Sequence, residues 1–430
     1  MNRVVLGTQW GDEGKGAVVD RMCQDSEFDI VVRPAGGNNA GHRVEAGGRR
    51  FNLHQIPAGI IQGKAVALGS GMAINPIALV NDEMKCLATE GLDLSRVFIS
   101  DRASLVMLWH LEEDRLREEC GGTSSKIGTT RWGIGQCYRD DADRIGLRAA
   151  ILGRSKDEFL AVIREKLDEA TIRLAALYPA SFNALDYVAK FPFEELLQIH
   201  DLLAPLVGDL PNYIWHALDQ GKNILVECAQ GTMLDLRYGT YQYVTSSHPT
   251  IAGALDGAAL NPFDITDIVG VAKAYTTRVG LGPFPTRMDD TLERAIRERG
   301  QEFGTTTGRP RDCGWLDLVQ LKYACRLNGV TGLVITKIDI LSDIEKIGLC
   351  VAYQRVSEKL DYVPADLGNV VPIYAWFEGW NQDLNDCENR ADLPSACRRY
   401  LSKIEGFLKV PIVGISKGPD RVDAINFFRE

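Results

Sequence analysis

Short apolar runs alternate with helical patterns along this chain of 430 residues. Apolar runs closed by glycine or polar residues are typical of buried strands in a parallel sheet. Six such runs are residues 3–6, 30–32, 224–226, 268–271, 332–335 and 410–413. The clearest helix begins at Ser155, which forms a capping-box pair with Glu158. It carries one apolar stripe: Phe159, Ile163, Leu167, Ala170 and Leu174. The alternation predicts an α/β fold with a mostly parallel central sheet, flanked by helices and joined by long glycine-rich loops.

The pattern also predicts how the chain is divided. No internal repeat, low-complexity tract or Ser/Pro-rich linker interrupts residues 1–430, so we expect a single large domain. Residues from about 156 to 220 have a helical pattern throughout, and we expect them to form a helical lobe on the sheet.

Composition and charge narrow the class of protein. The formal net charge of −10 and the pI of about 5.3 leave no general basic field for a polynucleotide or an anionic membrane. The N-terminus lacks the apolar core of a secretory signal, and no window reaches the ~18 apolar residues of a spanning helix. The ten cysteines show no metal-ligand spacing, which favours reduced thiols in a cytoplasmic protein.

The first apolar run leads directly into a glycine-rich loop, residues 7–16, that contains Asp12 and Lys15. A strand, such a loop with a lysine and a helix start together form a phosphate cradle, as in P-loop NTPases. The loop is not a Walker A motif, because Gln9 replaces its first glycine and Gly16 replaces its Ser or Thr.

A second glycine-rich loop follows the next apolar run. It comprises residues 36–42 and ends in His42. Glycines let the backbone approach a ligand closely, and histidine can exchange a proton near neutral pH. The position of His42 behind this loop favours a chemical role over the structural role that most histidines have.

Thr336–Asp339 follows the strand predicted at residues 332–335 and has the T-K-x-D pattern of guanine recognition. A carboxylate there can accept hydrogen bonds from N1 and the amino group of guanine, whereas adenine lacks that donor pair. A solvated turn is the alternative for four residues alone. The upstream phosphate loop favours a guanine site, and residues 416–419 are candidates for its other wall.

Three further loops are rich in Gly, Thr and Arg: residues 127–130, 275–280 and 304–311. Hydroxyls, backbone N–H groups and arginine forks are the groups that bind phosphates and carboxylates. Arg309 and Arg311 therefore predict a dianionic or carboxylate ligand other than the GTP phosphates.

Together these motifs resemble those of the adenylosuccinate synthetase family. The matching stretches occur in the family's order at residues 9–16, 36–42, 229–232, 244–247, 307–311, 314–317 and 336–339. The resemblance implies a ligase that uses GTP and Mg²⁺ to condense IMP with L-aspartate through a 6-phosphoryl-IMP intermediate. Its products are adenylosuccinate, GDP and phosphate, on the route to AMP. It also implies a homodimer, with no nucleic-acid or membrane partner.

The resemblance assigns roles residue by residue. Asp12 would take the proton from N1 of the hypoxanthine, and His42 would stabilise the phosphoryl group as it moves to O6. The implied catalytic residues are Asp12, Lys15, His42 and Gln230, and the implied Mg²⁺ contacts are Asp12 and Gly41. The implied GTP-binding residues are Gly11, Glu13, Gly14, Lys15, Gly16, Gly41, His42, Lys337, Asp339, Ser416 and Gly418.

The remaining implied residues bind the other two substrates. The IMP-binding set is Asp12, Asn39, Thr130, Arg144, Gln230, Thr245, Val279 and Arg309, in which Arg144 would reach the nucleotide of a partner subunit. The aspartate-binding set is Thr305, Thr306, Thr307, Arg309 and Arg311, on a loop that would close over the amino acid and exclude water.

The chain departs from the usual family pattern at several positions. Trp132 replaces an arginine that would face aspartate, and Arg131 precedes it. The other departures are Arg43, Arg237, Tyr238, His248, Arg287 and Asp312. We expect them to cluster on the IMP and aspartate side. Two alternatives stay open: a paralogue with an altered purine nucleotide or amine, and a GTP-binding switch protein. A switch normally has Ser or Thr where this chain has Gly16, and needs neither His42 nor the arginine loop.

Overall fold

The computed structural model describes residues 1–24, 27–120, 128–304 and 308–425. Its strands are β1 (Arg3–Gly7), β2 (Ile30–Gly37), β3 (His42–Ala46), β4 (Arg49–Leu53), β5 (Ala65–Ile74), β6 (Val97–Ser100), β7 (Ser104–Leu105), β8 (Val207–Gly208), β9 (Ile224–Glu227), β10 (Asp267–Lys273), β11 (Thr276–Arg278), β12 (Asp312–Gly314), β13 (Leu316–Asp317), β14 (Gly332–Thr336), β15 (Lys346–Arg355), β16 (Glu358–Leu360), β17 (Val371–Glu378), β18 (Ile412–Ser416) and β19 (Ala424–Ile425).

The α-helices are α1 (Lys15–Gln24), α2 (Pro76–Ala78), α3 (Lys85–Thr89), α4 (Leu108–Cys120), α5 (Ile134–Ala142), α6 (Lys156–Leu177), α7 (Ala184–Ala189), α8 (Phe193–Leu203), α9 (Leu210–Asp219), α10 (Ile251–Ala258), α11 (Asp290–Arg299), α12 (Leu318–Asn328) and α13 (Ser395–Leu408). Short 3₁₀ turns and a π-helical segment at Leu79–Met84 join them.

Most strands form one central sheet. Its order is β19-β18-β14-β10-β1-β9-β2-β5-β6-β8, with β7 beside β5. Among the described strands of this sheet, every pairing is parallel except that of β18 with β19. The six strands predicted from apolar runs are neighbours at its centre, from β2 through β9, β1, β10 and β14 to β18. The prediction of a mostly parallel sheet is therefore confirmed.

Both faces of this sheet are buried, which explains why its central strands are apolar without interruption. All five residues of β1 are buried. Val4 and Leu6 belong to the core on one face, whereas Val5 belongs to the core on the other. Successive side chains of a strand point to opposite faces, so a strand covered by helices on both sides needs apolar residues at every position.

Helices α6, α7, α8 and α9 lie in the region predicted to form a helical lobe. The Ser155 hydroxyl accepts the N–H of Glu158, the Glu158 carboxylate accepts the N–H of Ser155, and all five residues of the α6 stripe are buried. Two details differ from the prediction. Val207–Gly208 adds the edge strand β8, and α9 packs Leu210 and Ile214 into the core on one face of the sheet. A strand of two residues has no periodicity that a sequence could reveal. In the described part of the chain no helix is long and apolar enough to cross a membrane.

Strand β5 was not predicted, because glycines interrupt its apolar pattern. A Cβ at Gly69 would collide with the carbonyl oxygen of Gly257 in α10, and one at Gly71 would lie 2.7 Å from the carbonyl oxygen of Pro34. These glycines therefore let α10 cross β2 and β5 at close range.

Smaller sheets lie outside the central one. β3 pairs with β4 and β11 with β12, while β13, β16 and β17 pair with β15. β18 begins at Ile412, later than its apolar run, and Pro411 precedes it. Proline has no N–H to donate to a neighbouring strand, which explains the later start.

The carboxyl ends of the parallel strands lie at one edge of the sheet. The loops after β1, β2, β9, β10, β14 and β18 all begin there. In open parallel sheets ligands bind at this edge.

Candidate active site

A cavity of about 690 Å³ opens at the carboxyl edge of the sheet. Its wall contains every predicted site residue that the structure describes, apart from Arg144. Those residues are Gly11, Asp12, Glu13, Gly14, Lys15, Gly16, Asn39, Gly41, His42, Thr130, Gln230, Thr245, Val279, Arg309, Arg311, Lys337, Asp339, Ser416 and Gly418. The predicted aspartate contacts Thr305, Thr306 and Thr307 lie outside the described residues.

The loop after β1 is built around the carboxylate of Glu13. Its Oε1 accepts the N–H of Gln9 at 3.0 Å and that of Gly11 at 2.9 Å, and its Oε2 accepts a hydrogen bond from Lys15 Nζ at 2.6 Å. Glu13 and Lys15 are buried, and α1 begins at Lys15. The Glu13 carboxylate thus shapes the loop from inside. Lys15, the backbone N–H groups of the loop and the helix N-terminus are the groups that would bind a phosphate.

Gly16 lies directly against His42. A Cβ at Gly16 would lie 2.8 Å from Cβ and 3.3 Å from Cγ of His42. Carbon atoms in van der Waals contact are about 3.5–4.0 Å apart. The Ser or Thr of a Walker A motif would therefore displace His42, which gives a physical reason for glycine at this position.

His42 is held by Glu227, a residue that the sequence analysis missed. Nδ1 of His42 hydrogen-bonds to Oε1 of Glu227, whose Oε2 accepts the N–H of Ala58 at 2.7 Å. Burial lowers the pKa of His42 below its ordinary value, although Glu227 opposes this shift. A neutral ring that donates from Nδ1 to the carboxylate leaves Nε2 as an acceptor. The available signal was an acidic residue directly after the apolar run at 224–226.

Asp12 is already in contact with a predicted substrate-binding arginine. Its Oδ2 accepts a hydrogen bond from Nε of Arg311 at 3.0 Å, and Nη1 of Arg311 donates to Glu302 at 2.6 Å. Arg311 is buried, whereas Asp12 is about one-third exposed, with 29% of its side chain accessible. The structure therefore joins the predicted proton acceptor to the predicted aspartate-binding loop.

Three predicted site residues have left-handed backbone conformations. Their φ angles are 60° at Asp12, 53° at Gln230 and 58° at Lys337. A non-glycine residue in this region costs on the order of 1 kcal/mol, and such residues concentrate at functional sites. The three residues lie in the loops that follow β1, β9 and β14, respectively.

The predicted guanine site has an unsatisfied acceptor. Oδ1 of Asp339 is buried and has no hydrogen-bond partner among the described residues. Burial raises the pKa of Asp339 above its ordinary value. Two neighbours are engaged elsewhere, because Lys337 Nζ donates to the Gly300 carbonyl at 2.6 Å and Ser416 Oγ donates to the Gly418 carbonyl at 2.8 Å. A buried carboxylate oxygen without a donor is expected where a ligand supplies N–H groups.

Amide and hydroxyl groups form the wall on the predicted IMP side. Gln230 Nε2 donates to Asn39 Oδ1 at 3.3 Å, and the hydroxyls of Thr245 and Ser247 are 3.2 Å apart. Gly36 makes room for Gln230, since a Cβ there would lie 3.1 Å from Gln230 Oε1. Such groups can bind a neutral purine ring and a ribose without an opposing charge.

Arg309 connects two of the predicted loops. Its Nη1 donates to the carbonyl of Gly128 at 2.9 Å and its Nη2 donates to that of Thr129 at 2.8 Å. Arg309 therefore joins its own loop to residues 128–129. Thr130 and Arg309 both line the cavity.

Arg144 lies apart from this cavity. Its side chain is exposed and forms no part of the cavity wall in the described chain. A role for Arg144 in nucleotide binding therefore requires the site of a second subunit.

Most of the departing residues do not line the cavity itself. Arg43 lies in the cavity wall, but the other seven departing residues do not. Trp132 packs on a small cluster that includes Ile134 and Cys137, and Arg131 pairs with Glu119 at 3.4 Å. Adjacent side chains point in different directions, and here neither of the two residues lines the cavity.

The remaining departures have partners outside the cavity. Arg287 pairs with Asp312 at 3.2 Å, so these two departures compensate each other. The other three surround buried Asp235, whose Oδ1 accepts the N–H groups of Arg237 and Tyr238 and whose Oδ2 lies 3.3 Å from Nδ1 of His248. The side chains of Arg237 and Tyr238 are exposed.

The predicted metal contacts suit Mg²⁺ bound to a nucleotide. No group of three or more His, Cys, Asp or Glu side chains that could hold a metal occurs within the described residues. Asp12 and Gly41 offer one carboxylate and one backbone carbonyl in the same cavity wall. In phosphate sites Mg²⁺ is usually held by one or two protein groups, substrate phosphates and water, so this donor set fits.

The carboxyl edge of this parallel sheet carries a glycine-rich loop at a helix start, a buried carboxylate oxygen without a donor and a loop with two arginines. This combination is typical of a nucleotide-dependent α/β enzyme. Comparisons with known proteins specify it further. The sequence model of the adenylosuccinate synthetase family matches residues 4–425. The chain is 43% identical over 430 residues to the adenylosuccinate synthetase of Acetivibrio thermocellus, covering 99% of each chain. It is 42% identical to that of Brevibacillus brevis, covering 98% of this chain and 97% of the relative.

The fold of this chain is also similar to that of solved structures. A fully ligated adenylosuccinate synthetase from Plasmodium falciparum matches with a TM-score of 0.91 and 33% identity, over 99% of both chains. The succinoaminodeoxyadenylate synthetase of cyanophage S-2L, bound to dGMP and dATP, matches with a TM-score of 0.58 and 19% identity, over 99% of this chain and 95% of that one, and shares the fold. This chain belongs to the adenylosuccinate synthetase family and is a ligase that forms C–N bonds.

Proposed function

We propose that the enzyme condenses IMP with L-aspartate to adenylosuccinate, with Mg²⁺-GTP as the phosphoryl donor and GDP and phosphate as the other products. The observation that carries this proposal is that one cavity combines the phosphate loop, Asp12, His42, the unsatisfied Asp339 and the arginine loop. Neither a GTP switch nor a simple nucleotide-binding protein needs all of these groups.

In the first half of the reaction, O6 of IMP must become a nucleophile. The Asp12 carboxylate takes the proton from N1, and the electrons of the N1–H bond shift charge onto O6. O6 then bonds to the γ-phosphorus of GTP while the bond to the β–γ bridging oxygen breaks and GDP leaves. Asp12 and Gly41 would hold Mg²⁺ together with the phosphates, and the ion would neutralise phosphate charge.

His42 and Lys15 stabilise the transferring phosphoryl group. The free enzyme holds His42 neutral because burial lowers its pKa. The charge of an arriving γ-phosphate favours the protonated ring, which then donates from Nε2 while Glu227 accepts from Nδ1. Lys15 lies at the start of α1, where the helix N-terminus adds positive potential.

In the second half, the aspartate amine bonds to C6 and the phosphate leaves with the C6–O6 bond electrons. A phosphorylated oxygen is a far better leaving group than the original carbonyl oxygen, which is why GTP is consumed. Arg309 and Arg311 lie in the cavity wall and supply the cationic forks that carboxylates require. Residues 305–307 complete the proposed aspartate loop.

Two further assignments belong to the same proposal. The enzyme acts as a homodimer in which Arg144 binds the nucleotide of the partner subunit, supported by its exposure and its absence from the cavity wall of its own described chain. It works in the cytoplasm, supported by ten cysteines that are all free thiols. Sedimentation velocity tests the dimer, and a monomer at assay concentration would contradict it.

The test of the function is product analysis by mass spectrometry together with phosphate release. Purified enzyme receives Mg²⁺-GTP with IMP and L-aspartate, and in parallel with other purine monophosphates and other amino acids. We expect adenylosuccinate with a clear preference for IMP and L-aspartate, since most of the departing residues lie outside the cavity wall. Turnover of a different pair in preference to this one would instead identify a paralogue.

Two controls separate chemistry from binding. Asp12→Ala should abolish adenylosuccinate formation while GTP still binds, and retained product formation would remove Asp12 from the role of base. Phosphate release from GTP without IMP should be negligible, because O6 of IMP is the phosphoryl acceptor. Rapid hydrolysis of GTP alone would favour the switch protein.

A further inference from the structure

Glu302 lies behind the cavity wall, and its carboxylate accepts hydrogen bonds from four side chains. Its Oε1 accepts from the Tyr275 hydroxyl at 2.6 Å and from Lys337 Nζ at 2.8 Å. Its Oε2 accepts from Lys273 Nζ at 2.8 Å and from Arg311 Nη1 at 2.6 Å. The side chain of Glu302 is fully buried. Burial alone would raise the pKa of Glu302, but the three cations together lower it below its ordinary value.

The four partners of Glu302 differ in where they lie. Lys273 and Tyr275 are fully buried and do not line the cavity, whereas Lys337 and Arg311 do. Lys337 belongs to the guanine element, and Arg311 contacts Asp12 through Nε. Glu302 is therefore a shared anchor for one cation at the guanine end of the site and one at the amino-acid end.

The backbone reinforces this position. The N–H of Arg311 donates to the carbonyl of Glu302 at 2.9 Å, and Phe303 pairs with Pro310 in an isolated antiparallel bridge. Glu302 and Arg311 thus close the base of the loop that carries Arg309. Because Arg311 bonds to Glu302 through Nη1 and to Asp12 through Nε, its planar guanidinium has only one orientation that satisfies both carboxylates.

We propose that Glu302 is a positioning residue that orients Lys337 for the guanine base and Arg311 for Asp12 and the amino-acid substrate. The inference rests on the proposed function of the site. Lys273, Lys337 and Arg311 carry three positive charges, whereas Glu302 and Asp12 carry two negative charges. The cluster therefore has a net positive charge. Without the Glu302 carboxylate, the cations repel one another and can move into the cavity, where their directions are no longer set.

The test compares Glu302→Gln with Lys273→Met. Glutamine keeps the size of Glu302 but removes the charge that three cations share. Methionine removes one of those cations, which does not line the cavity, and leaves Glu302 on Lys337 and Arg311. We expect the KM values for GTP and for aspartate to rise at least about tenfold in Glu302→Gln, as for the loss of a hydrogen bond to a charged group. We expect kcat to fall as well, because Arg311 contacts Asp12, and the KM for IMP to change less than the other two KM values.

Lys273→Met should lower thermal stability and leave both KM values within about threefold of wild type. Equal KM changes in the two variants would overturn the proposal, because a general packing defect would then explain both. If Glu302→Gln does not fold, Glu302→Asp retains the charge but retracts the carboxylate, and it must show the same selective rise in the two KM values.

A double-mutant cycle separates positioning from scaffold stability. In a Lys337→Met background, Glu302→Gln should add no further loss of affinity for GTP, because the residue that Glu302 orients is gone. If Glu302→Gln lowers the affinity for GTP about tenfold in that background too, as in the single variant, Glu302 does not act through Lys337.

The failure of this inference can be told from failure of the proposed function. If wild-type enzyme forms no adenylosuccinate, the function is wrong. The affinity of each variant for a fluorescent GTP analogue still tests the contact between Glu302 and Lys337, since it needs neither IMP nor aspartate. If wild type is active but Glu302→Gln keeps all three KM values, the inference alone is wrong.

Discussion

Replacing Gly16 by alanine tests whether the start of α1 needs glycine because of His42. The added Cβ would lie 2.8 Å from Cβ of His42. Carbon contacts of about 3.5–4.0 Å are required, so the helix start and His42 must separate by about 0.7–1.2 Å. His42 cannot move alone without disturbing its hydrogen bond to Glu227.

The expected cost in stability is small, but that in activity is large. Overpacking costs about 1–3 kcal/mol, while alanine gains about 1 kcal/mol over glycine within a helix, so the net loss is about 0–2 kcal/mol. A displacement of about 1 Å at a catalytic group costs on the order of 100-fold in rate. We therefore expect kcat/KM to fall about 100-fold in an enzyme that remains folded.

The assay pairs steady-state kinetics with urea unfolding. Gly406→Ala is the matched control, because Gly406 is an exposed glycine in α13 and a Cβ there meets nothing within 4 Å. The control should gain about 0.5–1 kcal/mol of unfolding free energy and keep wild-type kinetics. A Gly16→Ala enzyme with kcat/KM within about threefold of wild type would refute the reasoning.

Three further substitutions probe the other contacts of the site. Glu227→Gln removes the charged acceptor of His42, so we expect about 1.5–3 kcal/mol less unfolding free energy and a lower kcat, measured by urea titration and initial rates; an unchanged kcat would contradict the positioning role. Asp339→Asn should raise the KM for GTP and lower that for XTP, whose 2-oxo group accepts from the new amide; an unaltered GTP preference would exclude Asp339 from base recognition. Because burial holds the pKa of His42 below the ordinary 6.5, the unfolded state binds its proton more tightly and stability is lost as pH falls below 6.5. His42→Asn should lose that part of the pH dependence in denaturant titrations from pH 7 to 5, and a slope equal to wild type would disprove it.

Much of the architecture could be predicted because its causes are local. The six central strands are apolar at successive positions, since both faces of the sheet are covered. Ser155 and Glu158 determine where α6 begins through hydrogen bonds within one turn. The predicted residues on the loops after β1, β2, β9, β14 and β18 share one cavity wall because these strands all end at the same sheet edge.

Other features depended on contacts between distant segments. Glycines interrupt the apolar pattern of β5, so the sequence does not predict this strand. The same glycines are required where α10 crosses it. The direction of Trp132 could not be read from its neighbours, and in the structure it packs on a small apolar cluster without lining the cavity. Arg287 and Asp312 were separate anomalies in the sequence, but they form one ion pair.

The sequence by itself determined the six central strands, the start of α6, the glycine-rich loops and the residue types that bind phosphate, guanine and carboxylate. These properties follow from periodicity and hydrogen bonding over a few residues. Only the tertiary structure decided which of those residues act on one another. His42 meets Glu227 across 185 positions, and Asp12 meets Arg311 across 299. Such pairs are set by the order of strands and the packing of helices, because two groups so far apart in sequence become neighbours only when the sheet has assembled around them.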